Sequence, residues 1–290
     1  MHATAAPRNT EKTFTKVAFF GYDTFSAQKN LAVDEILEEI AERENILFVR
    51  FYNFSGPAAI LGSSCDPDSG LKPGAEKKIE VSRRITAGTT AYVDGSVLGY
   101  SIIGPTSLNF ESGEVIFNDR IAMHRYFGVA IAAALRSALH VDPDAVSVGK
   151  KFSVKINGIP FVSNGQHFGK SHAFTCHGVI PILPWNVEAI NEVLNVDPDD
   201  YSRIPSMPSA IQFFDGGNED GAEACKAAII KAMLAAIPKD ALGDAGSSLR
   251  GEVLERADAL AERKYKGAWW VRRTDIRLDP DTRFCPLYPD

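Results

Sequence analysis

Residues 82–94 have the sequence SRRITAGTTAYVD, in which two arginines lead into a run of small residues. Runs rich in β-forming residues flank this stretch at 79–84 and 92–103, so the pattern predicts a loop between two strands. Backbone N–H groups in such a loop can approach an anion, and arginine adds a bidentate contact to phosphate or carboxylate. The stretch therefore predicts an anion-binding loop or, as the alternative, a surface hairpin with two solvated arginines.

The segments before this loop predict a helix followed by short strands. Apolar residues recur at helical spacing in 26–43, and acidic residues such as Asp34 and Glu38 are expected mostly on the other side of that helix. Strands are predicted at 46–54 and 58–62, separated by a Ser-Gly-Pro turn. A helix and a sheet therefore precede the loop.

The segments after the loop continue this mixture. Asp119 is expected to cap a second helix that runs to Leu139, with Ile121 in its apolar stripe. Three further strands are predicted at 152–156, 159–168 and 171–182. The first two are joined by Asn157-Gly158, a strong signal for a two-residue hairpin turn.

A cluster of Pro, Asp and Ser at 197–208 predicts a linker between two domains. Beyond it the pattern predicts helices at 221–236 and 247–265 and a strand at 268–278. We therefore expect an α+β fold of mixed or antiparallel sheets packed with helices. The expected division is a main domain at 15–212 and a small C-terminal α+β domain at 218–290.

Composition excludes several classes of function. The 290 residues carry 31 Lys+Arg against 37 Asp+Glu, and a net charge of −6 gives no electrostatic case for nucleic acid as a partner. The apolar run at 127–135 is far shorter than the roughly 20 residues that cross a bilayer, so no membrane segment is expected. The polar N-terminus lacks a signal-peptide pattern, which favours a cytoplasmic protein. The four cysteines are scattered without the spacing of metal ligands, and three histidines recur at 167, 172 and 177. We predict no metal site from either set.

Five motifs, in their order along the chain, resemble lipoate-protein ligase A of the biotin/lipoate ligase superfamily. They are NLAVDE at 30–35, GSSCD at 62–66, the arginine-led run at 83–94, the hairpin at 157–166 and His177-Gly178. The resemblance covers about residues 15–196, and the region around Lys264 and Trp269 is similar to the small C-terminal domain of the family.

The resemblance implies a ligase that uses ATP and Mg²⁺ to convert lipoate or octanoate to acyl-AMP. The acyl group is then transferred to a lysine of a lipoyl-domain protein, the E2 subunit of a 2-oxoacid dehydrogenase or the glycine cleavage H protein. Both steps develop negative charge on oxygen, so they need a cationic lysine and backbone donors. By position, the residues implied to bind the acyl-adenylate are Arg83, Arg84, Thr86, Gly88, Thr89, Ser163, His177 and Gly178.

The sequence departs from the family at two places. The family's loop has Ser-Gly-Gly-Gly where this chain has TAGT at 86–89, and Pro160 stands at the position of the catalytic lysine. If Asn157-Gly158 forms a two-residue turn, Lys155 lies directly opposite Pro160 and shares its face of the hairpin. We therefore predict that Lys155 supplies the missing ammonium group; the alternatives are that Lys155 is a solvated strand lysine or that Lys150, Lys151 or Lys170 takes this place.

These departures leave alternatives to an active ligase. The missing lysine and the altered glycines favour a non-catalytic member that binds an acyl group or nucleotide, or acts as an assembly subunit. A third interpretation is ATP-independent octanoyl transfer through Cys176 or Cys65. Cys176 precedes His177 directly, but adjacent strand residues point to opposite faces, so these two are poorly placed to act together.

Overall fold

The computed structural model describes residues 14–149, 153–169, 172–195, 207–214, 221–237 and 242–273. The strands of this part are β1 (Lys16–Phe25), β2 (Ile46–Phe54), β3 (Ala58–Leu61), β4 (Glu80–Arg83), β5 (Ala91–Val93), β6 (Val97–Pro105), β7 (Ser107–Phe110), β8 (Gly113–Ile116), β9 (Val146–Val148), β10 (Val154–Ile156), β11 (Ile159–Phe168), β12 (Ala173–Pro181) and β13 (Leu242–Asp244). The helices are α1 (Ala27–Glu44), α2 (Pro67–Gly70), α3 (Arg120–Ala138), α4 (Val187–Val193), α5 (Ala222–Ala235), α6 (Ser247–Leu260) and α7 (Ala268–Val271).

An eight-stranded sheet forms the centre of the molecule, in the order β13-β1-β2-β6-β12-β11-β10-β9. The β13–β1 and β1–β2 pairs are parallel and the other pairs are antiparallel, so the sheet is mixed. Helices α1 and α6 cover one face, and α3 and α5 cover the other. A smaller sheet, β4-β3-β5, carries the arginine-led run between β4 and β5. The predicted α+β fold with mixed sheets is confirmed.

Helix α1 begins and ends at conventional caps. The Ser26 side chain accepts a hydrogen bond from the Lys29 N–H, and the helix ends at Asn45, whose φ of 51° is left-handed. The predicted helix is therefore confirmed, but the expected exposure of its acidic residues is wrong for two of them. Asp34 and Glu38 are buried, because they face the sheet and bond to polar side chains there.

Helix α3 is also confirmed, with the Asp119 carboxylate accepting from the Ala122 N–H at 2.7 Å. Phe127 and Ile131 are buried against the sheet, as expected, whereas Ile121 is 62% exposed. The assignment of Ile121 to the apolar stripe is wrong. At 3.6 residues per turn, the separation of six positions between Ile121 and Phe127 places their side chains about 120° apart around the helix.

The Asn157-Gly158 turn has the predicted geometry. Both residues have positive φ, 52° and 77°, as a type I′ turn requires. Lys155 pairs with Pro160, as predicted, and a β-bulge interrupts the register next to Lys155. Strand β11 ends at Phe168 and β12 begins at Ala173, and His167 pairs with Thr175.

The described C-terminal residues pack against both faces of the main sheet. Helix α5 packs on α3, β13 pairs with β1 at the sheet edge, and α6 packs on α1. The strand predicted from residue 268 is wrong over Ala268–Val271, which is helix α7 with Trp270 buried against Tyr265. Most of the expected linker at 197–208 lies outside the described residues. This packing does not test whether 218–290 is a separate domain, which stays a prediction.

Candidate functional site

The loop at residues 84–90, called the arginine loop below, joins β4 to β5 and packs against the turn after β3. The Ser63 N–H donates to the Thr86 carbonyl at 2.9 Å, and the Cys65 thiol donates to the Gly88 carbonyl at 3.1 Å. A Cβ atom at Gly62 would overlap the Gly88 carbonyl oxygen. Glycine is therefore required at 62, because the two loops meet there through their backbones.

Arg84 organises the arginine loop from within. Its guanidinium donates to the carbonyls of Ile60 at 3.0 Å, Ala87 at 3.1 Å and Thr89 at 2.7 Å. Gly88 has a φ of 108°, and a Cβ there would lie 2.7 Å from Nη2 of Arg84. The loop conformation thus depends on a glycine at 88 as well as on Arg84.

Two adjacent backbone donors of the arginine loop are free. Within the described residues, the N–H groups of Gly88 and Thr89 have no hydrogen-bond acceptor. Gly88 is exposed and Thr89 is half-buried, and both residues lie beside the Arg84 guanidinium. Successive free N–H groups next to a guanidinium form the arrangement that proteins use to hold phosphate or carboxylate oxygens.

Arg83 lies below the loop and is completely buried. Its guanidinium donates to the carbonyls of Gly62 at 2.8 Å, Cys65 at 2.7 Å and Val271 at 2.8 Å, and the Trp270 indole N–H donates to the Arg83 carbonyl at 2.7 Å. Burial lowers the pKa of Arg83 from its ordinary value. Arg83 therefore ties helix α7 to the turn after β3, and its implied contact with a ligand remains a prediction.

Thr86 connects the arginine loop to the main sheet. Its Oγ1 lies 2.8 Å from Nε2 of His177 on β12, and the other ring nitrogen, Nδ1, donates to the Asp34 carboxylate at 2.9 Å. All three side chains are buried. Gly165 on β11 leaves the space for this contact, because a Cβ there would lie 2.7 Å from Thr86 Oγ1.

The sequence interpretation missed the network around Asp34. Its carboxylate accepts from the Arg50 guanidinium at 2.8 Å and from the Ser101 hydroxyl at 2.7 Å, while Arg50 also donates to Asn30. Burial alone would raise the pKa of Asp34, but the hydrogen bond from His177, the charges of Arg50 and His177 and the Ser101 bond together lower it. The signal was the four-residue spacing of Asn30, Asp34 and Glu38, which places three polar side chains on one helix face.

The remaining implied ligand residues lie on β11 and β12. Gly178 is half-buried and pairs with Asn164 on one side and Tyr100 on the other, and Ser163 pairs with Val179. The structure therefore brings Thr86 and His177 into direct contact, and Gly178 follows His177 directly on β12.

Lys155 shares a sheet face with this site. Val154 and Ile156 are buried in the core under α3, so alternation directs the half-buried Lys155 to the opposite face, where His177 lies. Its partner Pro160 is five residues from Gly165 along β11, which is about 16 Å at ~3.3 Å per residue. Lys155 can therefore act only on a ligand that extends from the arginine loop toward β10, and its catalytic role remains a prediction.

Two of the cysteines occupy different environments. Cys176 is buried on the face opposite His177, and burial raises the pKa of its thiol to about 12. Cys65 is half-buried beside the arginine loop. A raised pKa keeps Cys176 in the thiol form, which is a poor nucleophile.

No group of three or more His, Cys, Asp or Glu side chains in the described ranges could hold a metal ion. Among the helices of the described chain, none is long and apolar enough to cross a membrane.

Comparison with solved structures finds similar proteins over most of the chain. A bipartite lipoate-protein ligase from Thermoplasma acidophilum, described with its E2 lipoyl domain, has a TM-score of 0.67 at 18% identity, covering 91% of this chain and 100% of its own. Lipoate-protein ligase A bound with ATP has a TM-score of 0.64 at 17% identity, covering 90% of this chain and 99% of its own.

A third similar structure is P. falciparum LipL1 in complex with lipoate, with a TM-score of 0.62 at 16% identity, covering 90% of this chain and 75% of its own. No protein-family model and no curated protein matches the sequence. At these identities the likeness shows the fold, so the resemblance inferred from the sequence is confirmed at that level: the chain has the fold of lipoate-protein ligases.

Proposed function

Because the chain has the fold of lipoate-protein ligases, we propose that it is a lipoate-protein-ligase-like acyltransferase. It activates lipoate or octanoate with ATP as acyl-AMP and transfers the acyl group to a lysine of a lipoyl-domain protein. The observation that carries this proposal is the pair of free N–H groups at Gly88 and Thr89 beside Arg84. They suit the anionic phosphate and carboxylate of such a ligand.

The proposed reaction has two steps. The carboxylate oxygen of the acid attacks the α-phosphorus of ATP and pyrophosphate leaves; the acceptor amine then attacks the acyl carbon and AMP leaves. We place the anionic part of the acyl-AMP at the arginine loop, near Thr86, Gly88 and Thr89, with Ser163 and Gly178 on the adjoining strands. Lys155 is assigned the charge that the family's lysine supplies, at the part of the ligand nearest β10.

The structural neighbours support the choice of ligands and partner. One is bound with ATP, one with lipoate, and one is described together with an E2 lipoyl domain. We therefore propose an E2 or glycine cleavage H protein as the acceptor, and a cytoplasmic location. Since the described residues offer no cluster of metal ligands, Mg²⁺ enters the proposal only with the phosphates of ATP, and no step is assigned to it.

A second candidate is a non-catalytic subunit that binds an acyl group or nucleotide. Pro160 at the lysine position favours it, and so does the use of the Arg83 and Arg84 donors by carbonyls of the chain itself. Octanoyl transfer through Cys176 has less support, because this thiol is buried with a raised pKa, which leaves the half-buried Cys65 as the candidate for that route.

One experiment separates these candidates. The protein is incubated with ATP and, in turn, lipoate, octanoate and biotin, and acyl-AMP is measured by mass spectrometry. Acyl-AMP supports the ligase. Acylated protein formed from an octanoyl thioester without ATP supports the cysteine route. Neither product, with measurable binding of ATP or lipoate by calorimetry, supports the binding subunit.

A further inference from the structure

We propose that Asp34 and His177 are positioning residues that hold the arginine loop on the main sheet through the hydroxyl of Thr86. They would act on the ligand through this loop and not by contact. The inference rests on the proposed function only for its effect on ligand affinity. The effect on the loop itself stands independently of any ligand.

The Asp34 carboxylate determines the orientation of the His177 ring. A carboxylate oxygen only accepts hydrogen bonds, so the proton of the Asp34–His177 contact is on Nδ1 of the ring. Arg50 and Ser101 hold the carboxylate from two other directions, which fixes where it presents its oxygen to His177. A carboxylate bonded to one ring nitrogen determines the orientation of an imidazole, and here that carboxylate is itself held in place.

The His177 ring, oriented in this way, contacts the hydroxyl of Thr86. With Nδ1 bonded to Asp34, the Nε2 atom of His177 is directed at Thr86 Oγ1, 2.8 Å away. The Thr86 side chain is completely buried, in a loop without regular secondary structure. A buried hydroxyl left without a partner is unfavourable, so the contact selects the loop conformation that makes it.

Thr86 lies close in the chain to the part of the loop that would face the ligand. The Thr86 carbonyl accepts from Ser63, and the next residue, Ala87, donates to the Gln166 carbonyl at 3.4 Å. Gly88 and Thr89, which carry the free N–H groups, follow directly. Fixing Thr86 therefore limits where these two donors can lie.

The same helix provides a matched comparison. Glu38, one turn after Asp34, contacts His167 Nδ1 at 2.9 Å and accepts from the Thr175 hydroxyl. Thr175 is as completely buried as Thr86, and its hydroxyl is bonded to a buried carboxylate of α1. It lies on β12 and not in the arginine loop. Thr175→Val therefore removes a comparable hydroxyl without removing the link to the loop.

The experiment measures hydrogen exchange of the amides at 62–66 and 84–90 by mass spectrometry in the full chain. Thr86→Val, which keeps the side-chain shape, is expected to exchange at least tenfold faster in both segments. Thr86→Ser, which restores the hydroxyl, and Thr175→Val are expected to stay within twofold of wild type there. Equal exchange in the two valine variants would overturn the positioning role.

The second measurement uses an octanoyl-sulfamoyl adenosine, a stable analogue of acyl-AMP. Thr86→Val is expected to bind it at least tenfold more weakly by calorimetry, with Thr86→Ser and Thr175→Val close to wild type. Weaker binding without faster exchange would mean that Thr86 itself contacts the ligand, and would contradict our inference. If wild type does not bind the analogue, the acyl-adenylate function fails, while the exchange result still decides whether the contact of Thr86 with His177 holds the loop.

Discussion

Replacing Asp34 by Asn tests how strongly the buried charge network stabilises the fold. The substitution keeps the shape of the side chain but removes its charge, and it leaves Arg50 buried without a counter-ion. Removing one partner of a buried ion pair costs about 3–5 kcal/mol in the free energy of unfolding. The remaining Arg50 contacts are neutral, namely the Asn30 oxygens and the Tyr52 ring at 4.3 Å.

The matched control is Glu39→Gln on the same helix. Glu39 pairs with Arg256 at 2.5 Å, but the Glu39 side chain is exposed and Arg256 is partly exposed. An exposed pair contributes only about 0–1 kcal/mol, so the same change of charge should have a small effect there. Urea unfolding at pH 7, followed by circular dichroism, measures both free energies. Equal destabilisation by the two variants would refute the assignment of Asp34 and Arg50 as a stabilising buried pair.

The dependence on pH gives an independent check. Because the pKa of Asp34 is lowered in the folded protein, its carboxylate stabilises the fold above the ordinary value of 3.8. This contribution is lost as the pH falls through the folded-state pKa. The difference in unfolding free energy between wild type and Asp34→Asn should therefore be constant near neutrality and shrink below about pH 4. A difference that grows toward acid pH would contradict the lowered pKa.

The other predictions concern ligand binding, catalysis, thiol reactivity and domain structure. Arg84→Ala should weaken acyl-adenylate binding at least tenfold by calorimetry, and Arg84→Lys should also weaken it, because lysine lacks the guanidinium fork; unchanged affinity would make the loop a surface hairpin only. Lys155→Ala should abolish acyl-AMP formation with a nearly unchanged thermal midpoint, since its side chain is half-buried; full activity in this variant would exclude Lys155. Cys65 should react with iodoacetamide at pH 8 while Cys176, buried with a pKa of about 12, should not. Intact-mass measurement and peptide mapping locate the label, and label on Cys176 but not on Cys65 would contradict this prediction. Limited proteolysis should cut first at 197–208, and a core fragment ending near residue 216 that cannot fold would show that the C-terminal segment belongs to the main core.

Local patterns of the sequence were sufficient for the two long helices α1 and α3 and for one hairpin turn. The Ser26 and Asp119 caps, the apolar spacing of α1 and α3 and the Asn157-Gly158 turn are interactions within a few residues, so they could be predicted without a tertiary structure. The pairing of Lys155 with Pro160 followed from the turn type alone. Other elements were harder: the ten-residue strand β1 was missed, and the short helix α7 was predicted as a strand, because contacts from distant segments decide such elements.

The candidate site, too, could be predicted only in part from the sequence. The arginine-led run could be predicted as an anion-binding loop because its residue types are contiguous, and that role stays a prediction, whereas the order of motifs along the chain pointed to the fold. The partners of those residues could not be recognised, since Asp34 and His177 are 143 positions apart and Thr86 and His177 are 91 apart. Only the packed structure shows that Asp34 of helix α1 is buried, where its charge orients His177. The sequence therefore specified which chemical groups are present, and the tertiary structure decided which of them face the loop and which hold it in place.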